Sequence, residues 1–371
     1  MTTYRHVYVH VPFCARRCVY CDFSIAVRRE VPAAAFVEHV LAELRVRAIH
    51  ASSVTTLYLG GGTPSQLGAS GLSSLVAGLV EACPLAPGAE VTIEANPEDV
   101  TREAARAWAA AGVNRVSLGV QSFDARVLAW MHRGHDGDTV RRAVRDLREA
   151  GITNLSLDLI YALPSELGRD WSRDLDAALE LEPTHLSCYG LTVEPRTALG
   201  RWVARASEVP APEETHEGEF HLAHERLSAA GFEHYEVSNY SRPGARSRHN
   251  SCYWSGEPYL GLGPSAHGFD GATRRWNVGA FAAWERAVVA GADPIEGSEL
   301  LTPEQRGIEE VYLGLRTMSG LLTSSQDGPM IDMWISQGWA TGHGDRLQLT
   351  PAGWLRLDAL VAALTEHRSR Y

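Results

Sequence analysis

The chain has no lysine. All 34 basic residues among its 371 are arginines, against 45 aspartates and glutamates. P-loop nucleotide binding needs a lysine on the phosphates and pyridoxal phosphate needs one for its Schiff base, so both chemistries are excluded. The net charge of -11 also argues against a nucleic-acid-binding protein, because phosphate binding depends on an excess of basic groups.

Long apolar runs are missing as well. No stretch approaches the roughly 18 apolar residues of a membrane-spanning helix. The segment MTTYRHVYVHVP lacks a basic region followed by an unbroken apolar one, so we expect no secretory leader and a cytoplasmic protein. Only 6 cysteines are present, and Cys83, Cys188 and Cys252 are scattered, as free thiols would be. The 45% apolar content is enough for one large domain and a smaller one.

Short β-branched runs alternate with segments of helical period up to about residue 195, which predicts βα repeats. The six predicted strands are HVYVHV (6–11), TTLYLG (55–60), EVTIEA (90–95), RVSLGV (115–120), LSLDLI (155–160) and HLSCYGL (185–191). Right-handed crossovers would join them into a mostly parallel sheet that curls into a closed or incomplete barrel. Functional residues of such barrels lie at the carboxyl ends of the strands.

The remainder of the chain differs in composition and in predicted secondary structure. Three domains are predicted: a barrel domain over 1–230, an aromatic- and glycine-rich connecting segment over 231–295, and a mainly helical domain over 296–371. Residues 338–350 and the Ala/Leu segment after them resemble a winged-helix hairpin and helix. At this net charge, we expect that module to act in packing or as a lid rather than in nucleic-acid binding.

Three cysteines follow the first predicted strand. Cys14, Cys18 and Cys21 have the spacing C-x3-C-x2-C. A four-iron cluster takes four cysteine ligands, so three would leave one iron open for a small chelating molecule. A zinc knuckle or a disulfide pair is the alternative, although structural zinc would want a fourth cysteine or histidine nearby.

Other unusual residues sit at the ends of later strands. Gly60, Gly61 and Gly62 would let the backbone approach a ligand closely, and Gly61 is expected to lie too near it for a side chain; a tight βα turn explains the same residues. Glu94 and Asp158 are carboxylates within apolar strands, and an unpaired buried charge is costly. They either bind a ligand's hydroxyl or ammonium groups or form an ion pair with Arg115 or Arg133.

A late segment, SRHNSCYWSGEPYLGLGPSAHGF, concentrates His249, Cys252, Tyr253, Trp254 and His267. Imidazole and thiolate are axial ligands of haem iron, and aromatic side chains favour a flat macrocycle. A histidine among aromatics is also a common structural residue. Both interpretations stay open on the residues alone.

These motifs together resemble the oxygen-independent coproporphyrinogen III oxidase family of radical S-adenosylmethionine (SAM) proteins. The resemblance rests on YVHVPFCARRCVYCDF, LYLGGGTPS, TIEANPE, SLGVQSFD, MHRGH, LDLIYALP and HLSCYGLTVEP. Within the family the chain is more similar to the haem chaperones than to the oxidases. The oxidases have a fourth cysteine where this chain has Phe23 and a longer segment before the cluster, whereas the chaperones carry H-N-x-x-Y-W, here His249 to Trp254.

The resemblance implies a partial (β/α)6 radical SAM barrel with a C-terminal, mainly helical, winged-helix-like domain. It implies a [4Fe-4S] cluster on Cys14, Cys18 and Cys21, SAM on the open iron, and haem, with His249 at the haem site. The residues that match SAM-contacting positions of the oxidases are Tyr8, Tyr20, Gly61, Gly62, Thr63, Glu94, Gln121, Arg133, Asp158 and Thr192.

The function implied is a haem chaperone that binds haem and delivers it to haem-requiring proteins, respiratory ones among them. The alternative is an oxygen-independent coproporphyrinogen III dehydrogenase, a radical oxidative decarboxylase; a radical enzyme for another substrate is a third interpretation. Enzyme status, the number of SAM molecules, homodimer formation and peripheral membrane association are all left open by the sequence.

Overall fold

The computed structural model of the protein describes residues 4–47 and 51–369. Strands and helices alternate in its first half, as the sequence predicts. In chain order they are β1 (Tyr4–Val11), β2 (Phe13–Cys14), β3 (Ala26–Val27), α1 (Ala33–Val46), β4 (Ala51–Gly61), α2 (Gly68–Ala82), β5 (Leu85–Ala95), α3 (Arg102–Ala110), β6 (Arg115–Gln121), α4 (Ala125–Trp130), α5 (Gly137–Glu149), β7 (Asn154–Tyr161), α6 (Trp171–Glu180) and β8 (His185–Gly190).

The second half mixes short strands with helices. These are α7 (Ala198–Ala204), α8 (Glu213–Ala229), β9 (Glu233–Glu236), β10 (Asn239–Ser241), α9 (Arg248–Ser255), β11 (Tyr259–Leu262), β12 (His267–Phe269), β13 (Thr273–Asn277), α10 (Phe281–Val289), β14 (Ile295–Leu300), α11 (Pro303–Arg316), β15 (Leu321–Leu322), α12 (Gly328–Ser336), β16 (Ala340–His343), β17 (Arg346–Leu349), α13 (Pro351–Trp354) and α14 (Leu357–Arg368). Short 3-10 turns span Pro64–Leu67, Pro97–Asp99, Ser165–Leu167 and Ser325–Asp327.

Twelve strands form one mixed sheet, in the order β14-β13-β12-β11-β1-β4-β5-β6-β7-β8-β10-β9. The six predicted strands are its parallel centre and are neighbours in sequence order. Within the described residues, the end strands β14 and β9 do not pair, so the sheet stays open. The prediction of a partial (β/α)6 barrel is confirmed.

Residues 231–295 extend this sheet at both edges. β10 and β9 add antiparallel strands beside β8, whereas β11 lies parallel to β1 at the opposite edge and is followed by antiparallel β12, β13 and β14. The bounds 1–230, 231–295 and 296–371 remain a proposal, to which the structure adds that the middle segment belongs to the main sheet on both sides.

A buried carboxylate fixes the added strands against the first helix. Glu43 of α1 has no exposed surface and accepts hydrogen bonds from Gly263 N (2.9 Å), Asn277 Nδ2 (2.7 Å) and Trp284 Nε1 (2.9 Å). Arg47 pairs with the same carboxylate at 3.0 Å. Because a buried charge is tolerated only when paired and hydrogen-bonded, these contacts specify where the late segment packs.

The C-terminal unit is mainly helical, with a small antiparallel sheet in the order β15-β17-β16. Helices α11, α12 and α14 pack around it, and Trp354 Nε1 donates to Leu315 O at 3.0 Å. The hairpin of β16 and β17 followed by a helix is the predicted winged-helix-like arrangement. In the described part of the chain, every helix is too short or too polar to cross a membrane.

Candidate functional site

The cysteine loop lies at the carboxyl end of β1. Pairing of β2 with β3 closes the loop at its base, and Cys21 N donates to Cys18 O at 3.3 Å within it. All three cysteines are free thiols, and they line one cavity of about 480 Å³. Cys14 Sγ is 3.3 Å from Thr63 Oγ1 on the turn after β4.

The spacing of the three thiols bears on the kind of metal group that they could hold. Sulfur ligands of a single tetrahedral zinc lie about 3.8 Å apart, given a Zn–S bond of about 2.3 Å. Among the described residues, the three sulfurs do not form a group within 4.8 Å of one another. The sulfurs are thus not preassembled around a single zinc ion, and the case for a four-iron cluster rests on the C-x3-C-x2-C spacing.

The electrostatics of the loop favour neutral thiols at Cys14 and Cys21 when no metal is bound. Burial, together with the charges of Cys21 and Cys18, raises the pKa of the Cys14 thiol to about 11, and burial raises the pKa of Cys21. Three neighbouring thiolates would repel one another in this setting unless iron were present to hold them. The donor set therefore fits a cluster.

The glycine turn closes over the loop. Gly62 N donates to Val11 O at 2.8 Å, and a Cβ at Gly62 would lie 2.7 Å from the backbone of Pro12. Gly61 has φ of 112°, and its Cβ would lie 2.6 Å from the His10 ring. The need for glycine at 61 thus comes from the protein itself, not only from a ligand as the sequence suggested.

Replacing Gly61 is therefore expected to weaken the fold before any ligand binds. Gly61→Ala forces a side chain into a left-handed backbone and against His10, at a cost of about 1–3 kcal/mol. Thermal unfolding of cofactor-free protein measures it. Gly218→Ala is the control, since Gly218 lies on α8 with open space around it, and it should be neutral or stabilising. An unchanged melting temperature for Gly61→Ala would contradict the geometry.

Two carboxylates line the same cavity as the cysteines. Glu94 accepts from Tyr58 Oη (2.8 Å) and Gly61 N (3.0 Å). Burial raises its pKa to about 7, although the bond from Tyr58 opposes the rise. Asp158 accepts from Ser117 Oγ at 2.9 Å, and burial raises its pKa too. Both can accept from a ligand's hydroxyl or ammonium groups.

The alternative of an ion pair with arginine is not formed among the described residues. Arg115 is buried and pairs with neither carboxylate. Arg133 donates to Gly119 O (2.6 Å) and Asn96 Oδ1 (2.5 Å) and lies 3.6 Å from Cys18 Sγ. Arg133 is thus a partly buried cation beside the cysteine loop, where it can offset the charge of thiolates.

The cavity brings together most of the residues proposed from the sequence. It is lined by Cys14, Cys18, Cys21, Tyr20, Gly61, Gly62, Thr63, Glu94, Gln121, Arg133, Asp158 and Thr192. Asn96 and Ser117 also line it and were missed, although Asn96 follows the third predicted strand and the same argument from strand ends would have included it. Phe23 is 61% exposed at its mouth.

Tyr8 and His249 lie outside this cavity. The Tyr8 hydroxyl is 3.0 Å from His10 Nδ1, and its side chain lines a separate cleft. His249 has no exposed surface; its Nδ1 is 2.7 Å from Thr56 Oγ1 and its Nε2 is 2.9 Å from Tyr253 Oη. Both ring nitrogens are thus engaged, and haem ligation by His249 stays a prediction that would require one bond to break.

His249 also belongs to a buried group with His6 and Cys252. One ligand atom from each lies within 4.8 Å of the others. The ring nitrogens of both histidines in this group already make hydrogen bonds. His6 contacts Thr56 Oγ1 at 2.8 Å and Glu257 Oε2 at 3.1 Å. Burial lowers the pKa of His249 to about 3, so it is a neutral structural imidazole in this conformation.

Comparisons with known proteins agree with this geometry. Residues 8–178 match the Radical SAM superfamily model. The chain is 39% identical over 366 residues to the heme chaperone HemW of Mycobacterium tuberculosis (strain ATCC 25618 / H37Rv), covering 96% of this chain and 94% of that protein. It is 35% identical over 375 residues to HemW of Escherichia coli (strain K12), covering 96% of each.

A solved structure shows the fold. Coproporphyrinogen III oxidase (HemN) from Escherichia coli, described as a radical SAM enzyme, superimposes with a TM-score of 0.83, covering 98% of this chain and 90% of that one, at 22% identity.

Proposed function

Because the chain belongs to the HemW family of radical SAM proteins, we propose that it is a haem chaperone, which binds haem and delivers it to haem-requiring proteins. The observation that carries the proposal is the similarity to proteins named haem chaperones along nearly the whole chain. Haem-accepting proteins, including respiratory ones, are its proposed partners.

Membership of the superfamily implies a [4Fe-4S] cluster and SAM. Bound, the cluster would supply an open iron for SAM and one electron for its cleavage. Cys14, Cys18 and Cys21 would hold it, Thr63 would orient Cys14, and Arg133 would offset negative charge at Cys18.

Two carboxylates and two further residues would bind SAM. Glu94 and Asp158 would accept from its ammonium or ribose hydroxyl groups. Gln121 is the last residue of β6 and Thr192 follows β8. Both line the same cavity.

Phe23 separates this proposal from the oxidase alternative. Its side chain stands at the cavity mouth, at the position where the oxidases have their fourth cysteine. An aromatic ring can neither ligate iron nor donate a proton or an electron pair as a thiol does. The chain is therefore proposed to leave the porphyrin's propionate side chains unchanged.

The test is to give coproporphyrinogen III to the anaerobically reconstituted protein with SAM and a reductant. We expect no protoporphyrinogen IX above the rate without protein, measured by chromatography of the oxidised porphyrins. An active oxygen-independent oxidase assayed in parallel shows that the conditions support turnover. Steady formation of protoporphyrinogen would overturn the chaperone proposal.

A further inference from the structure

One arginine is buried in the centre of the main sheet without an ionic partner. Arg115 is the first residue of β6 and is 1% exposed. Its Nε and Nη1 atoms have no hydrogen-bond partner among the described residues. A guanidinium keeps its charge in proteins, and a buried charge is costly unless something nearby compensates it. The surroundings of Arg115 should therefore contain the groups on which its charge acts.

Strand register places Arg115 on the same face of the sheet as the two carboxylates of the cysteine cavity. Glu94 lies opposite Ser117, and Asp158 lies opposite Gly119. Ser117 and Gly119 follow Arg115 on β6 at every second position, so alternation along the strand puts all of these side chains on one face. Ser117 also donates to Asp158 at 2.9 Å. Arg115 thus lies one step further along this face than the cavity itself.

The charge of Arg115 acts on both carboxyl groups without contact. Burial raises the pKa of Glu94 to about 7, and Arg115 opposes the rise. Burial raises the pKa of Asp158 as well, and Arg115 again opposes it. Burial and the same arginine lower the pKa of His185, which lies on the neighbouring strand β8. Charges interact over such distances in a protein interior because little water screens them.

Two other buried carboxylates near this face already have partners. Glu90 accepts from the backbone N of Arg248 (2.9 Å) and of His249 (3.0 Å), and Glu236 lies 2.9 Å from Arg316 Nη2. The buried guanidinium on β6 is therefore available to the two cavity carboxylates. Titratable side chains on or beside this face also include His6, Tyr8, His10, Tyr58, His185, Tyr189, Tyr235 and His249.

A cationic ligand needs these carboxyl groups in their ionised form. Two neighbouring carboxyl groups in a buried site tend to keep their protons, because burial and mutual repulsion both disfavour the charged form. A fixed guanidinium reduces this tendency. Two carboxylates and one guanidinium leave one net negative charge, which a ligand cation can neutralise.

We propose that Arg115 is a positioning residue of the SAM site, which keeps Glu94 and Asp158 ionised and ready to accept the ligand. The proposal rests on the proposed binding of SAM. It extends that proposal to a residue that does not line the cavity and that acts only through the two carboxylates.

The test is calorimetric titration of cluster-loaded Arg115→Met with SAM between pH 6 and pH 9, with each affinity divided by that of wild type at the same pH. Loss of a nearby opposite charge raises a carboxyl pKa by about one to two units. At pH 7 the variant should therefore bind SAM roughly five- to fiftyfold more weakly, because a smaller fraction of its carboxyl groups is ionised. This deficit should shrink towards pH 9 as the carboxyl groups lose their protons.

Two further variants separate charge from packing. Arg115→Lys keeps the charge and should restore most of the wild-type pH profile. Arg106→Met is the matched control, since it removes the same charge from an exposed position on α3, and it should bind SAM as wild type does at every pH. A deficit in Arg115→Met that is the same at every pH, or no deficit at all, would overturn the proposal.

Infrared spectroscopy of the cluster-free protein without SAM measures the carboxyl groups directly. The absorption of the protonated Glu94 carboxyl, identified by its loss in Glu94→Gln, should persist to a pH about one to two units higher in Arg115→Met than in wild type. An unchanged midpoint would overturn the role of Arg115. Wild-type protein that binds no SAM would instead overturn the proposed SAM site, and the infrared midpoint would still decide the effect of Arg115. If Arg115→Met does not fold, Arg115→Gln takes its place with the same expected results.

Discussion

Cys18→Ala should lose the iron-sulfur cluster. Iron and sulfide, about four of each per reconstituted chain when the cluster is complete, should fall to background, because two thiols with this spacing cannot hold four irons. Cys18 is preferable to Cys14 for the test since Cys14 is buried and Cys18 is half-exposed, so the loss of its thiol leaves the core intact. Iron and acid-labile sulfide analysis after anaerobic reconstitution measures the effect.

Cys83→Ala is the matched control. Cys83 follows the last residue of α2, is buried in the hydrophobic core and does not line the cavity, so the variant should keep its full iron content. A full complement of iron and sulfide in Cys18→Ala would remove Cys18 from the cluster.

Glu94→Gln should weaken SAM binding by about 1.5–3 kcal/mol, which is roughly ten- to a hundredfold in affinity. SAM carries a sulfonium and an ammonium charge, and Glu94 is a carboxylate of the cavity whose fixed neighbours, Tyr58 and Gly61, already orient it. Calorimetry with cluster-loaded protein measures the change.

The pKa of Glu94 predicts that SAM affinity depends on pH. With a pKa of about 7 in the folded protein, the Glu94 carboxyl is mostly neutral at pH 6 and mostly ionised at pH 8. Wild-type affinity for cationic SAM should therefore rise across this range relative to the affinity of Glu94→Gln at each pH.

Glu98→Gln is the control for this rise of SAM affinity with pH, which we call the slope. Glu98 lines the same cavity, but its hydrogen bond with His135 helps to lower its pKa, so it is ionised throughout and its removal should leave the slope in place. Equal affinity and equal slope in Glu94→Gln and wild type would exclude Glu94 from SAM binding.

The central sheet could be predicted because its signals are local. Each parallel strand is a short apolar run between helical segments, and strands in sequence order are neighbours in the sheet. Residues that follow such strands converge at one edge, which is why Cys14, Gly61, Glu94 and Asp158 share a cavity.

The edges of the sheet could not be predicted in this way. β11 joins β1 across about 250 residues of chain, and a short run such as YLGL gives no sign of its partner. That pairing supplies one wall of the separate cleft that Tyr8 lines. Tyr8 matches a SAM-contacting position of the oxidases, and strand register places it on the same face of the sheet as Tyr58, which bonds Glu94. Its assignment to SAM stays a prediction.

The surroundings of His249 could not be predicted from the sequence either. Its neighbours in space, Thr56 and Glu90, lie on strands more than 150 residues away. An imidazole near aromatics satisfies both a haem-ligand and a structural interpretation until its hydrogen-bond partners are known.

Haem delivery is the central claim, and stopped-flow transfer tests it most directly. The haem-loaded protein is mixed with increasing concentrations of the apo form of a haem-requiring acceptor, and the acceptor's Soret band is followed. We predict that haem bound to the chain survives desalting and that the transfer rate rises with acceptor concentration, as direct handover requires. A protein that retains no haem, or a transfer rate independent of acceptor concentration and equal to passive haem release, would contradict the account.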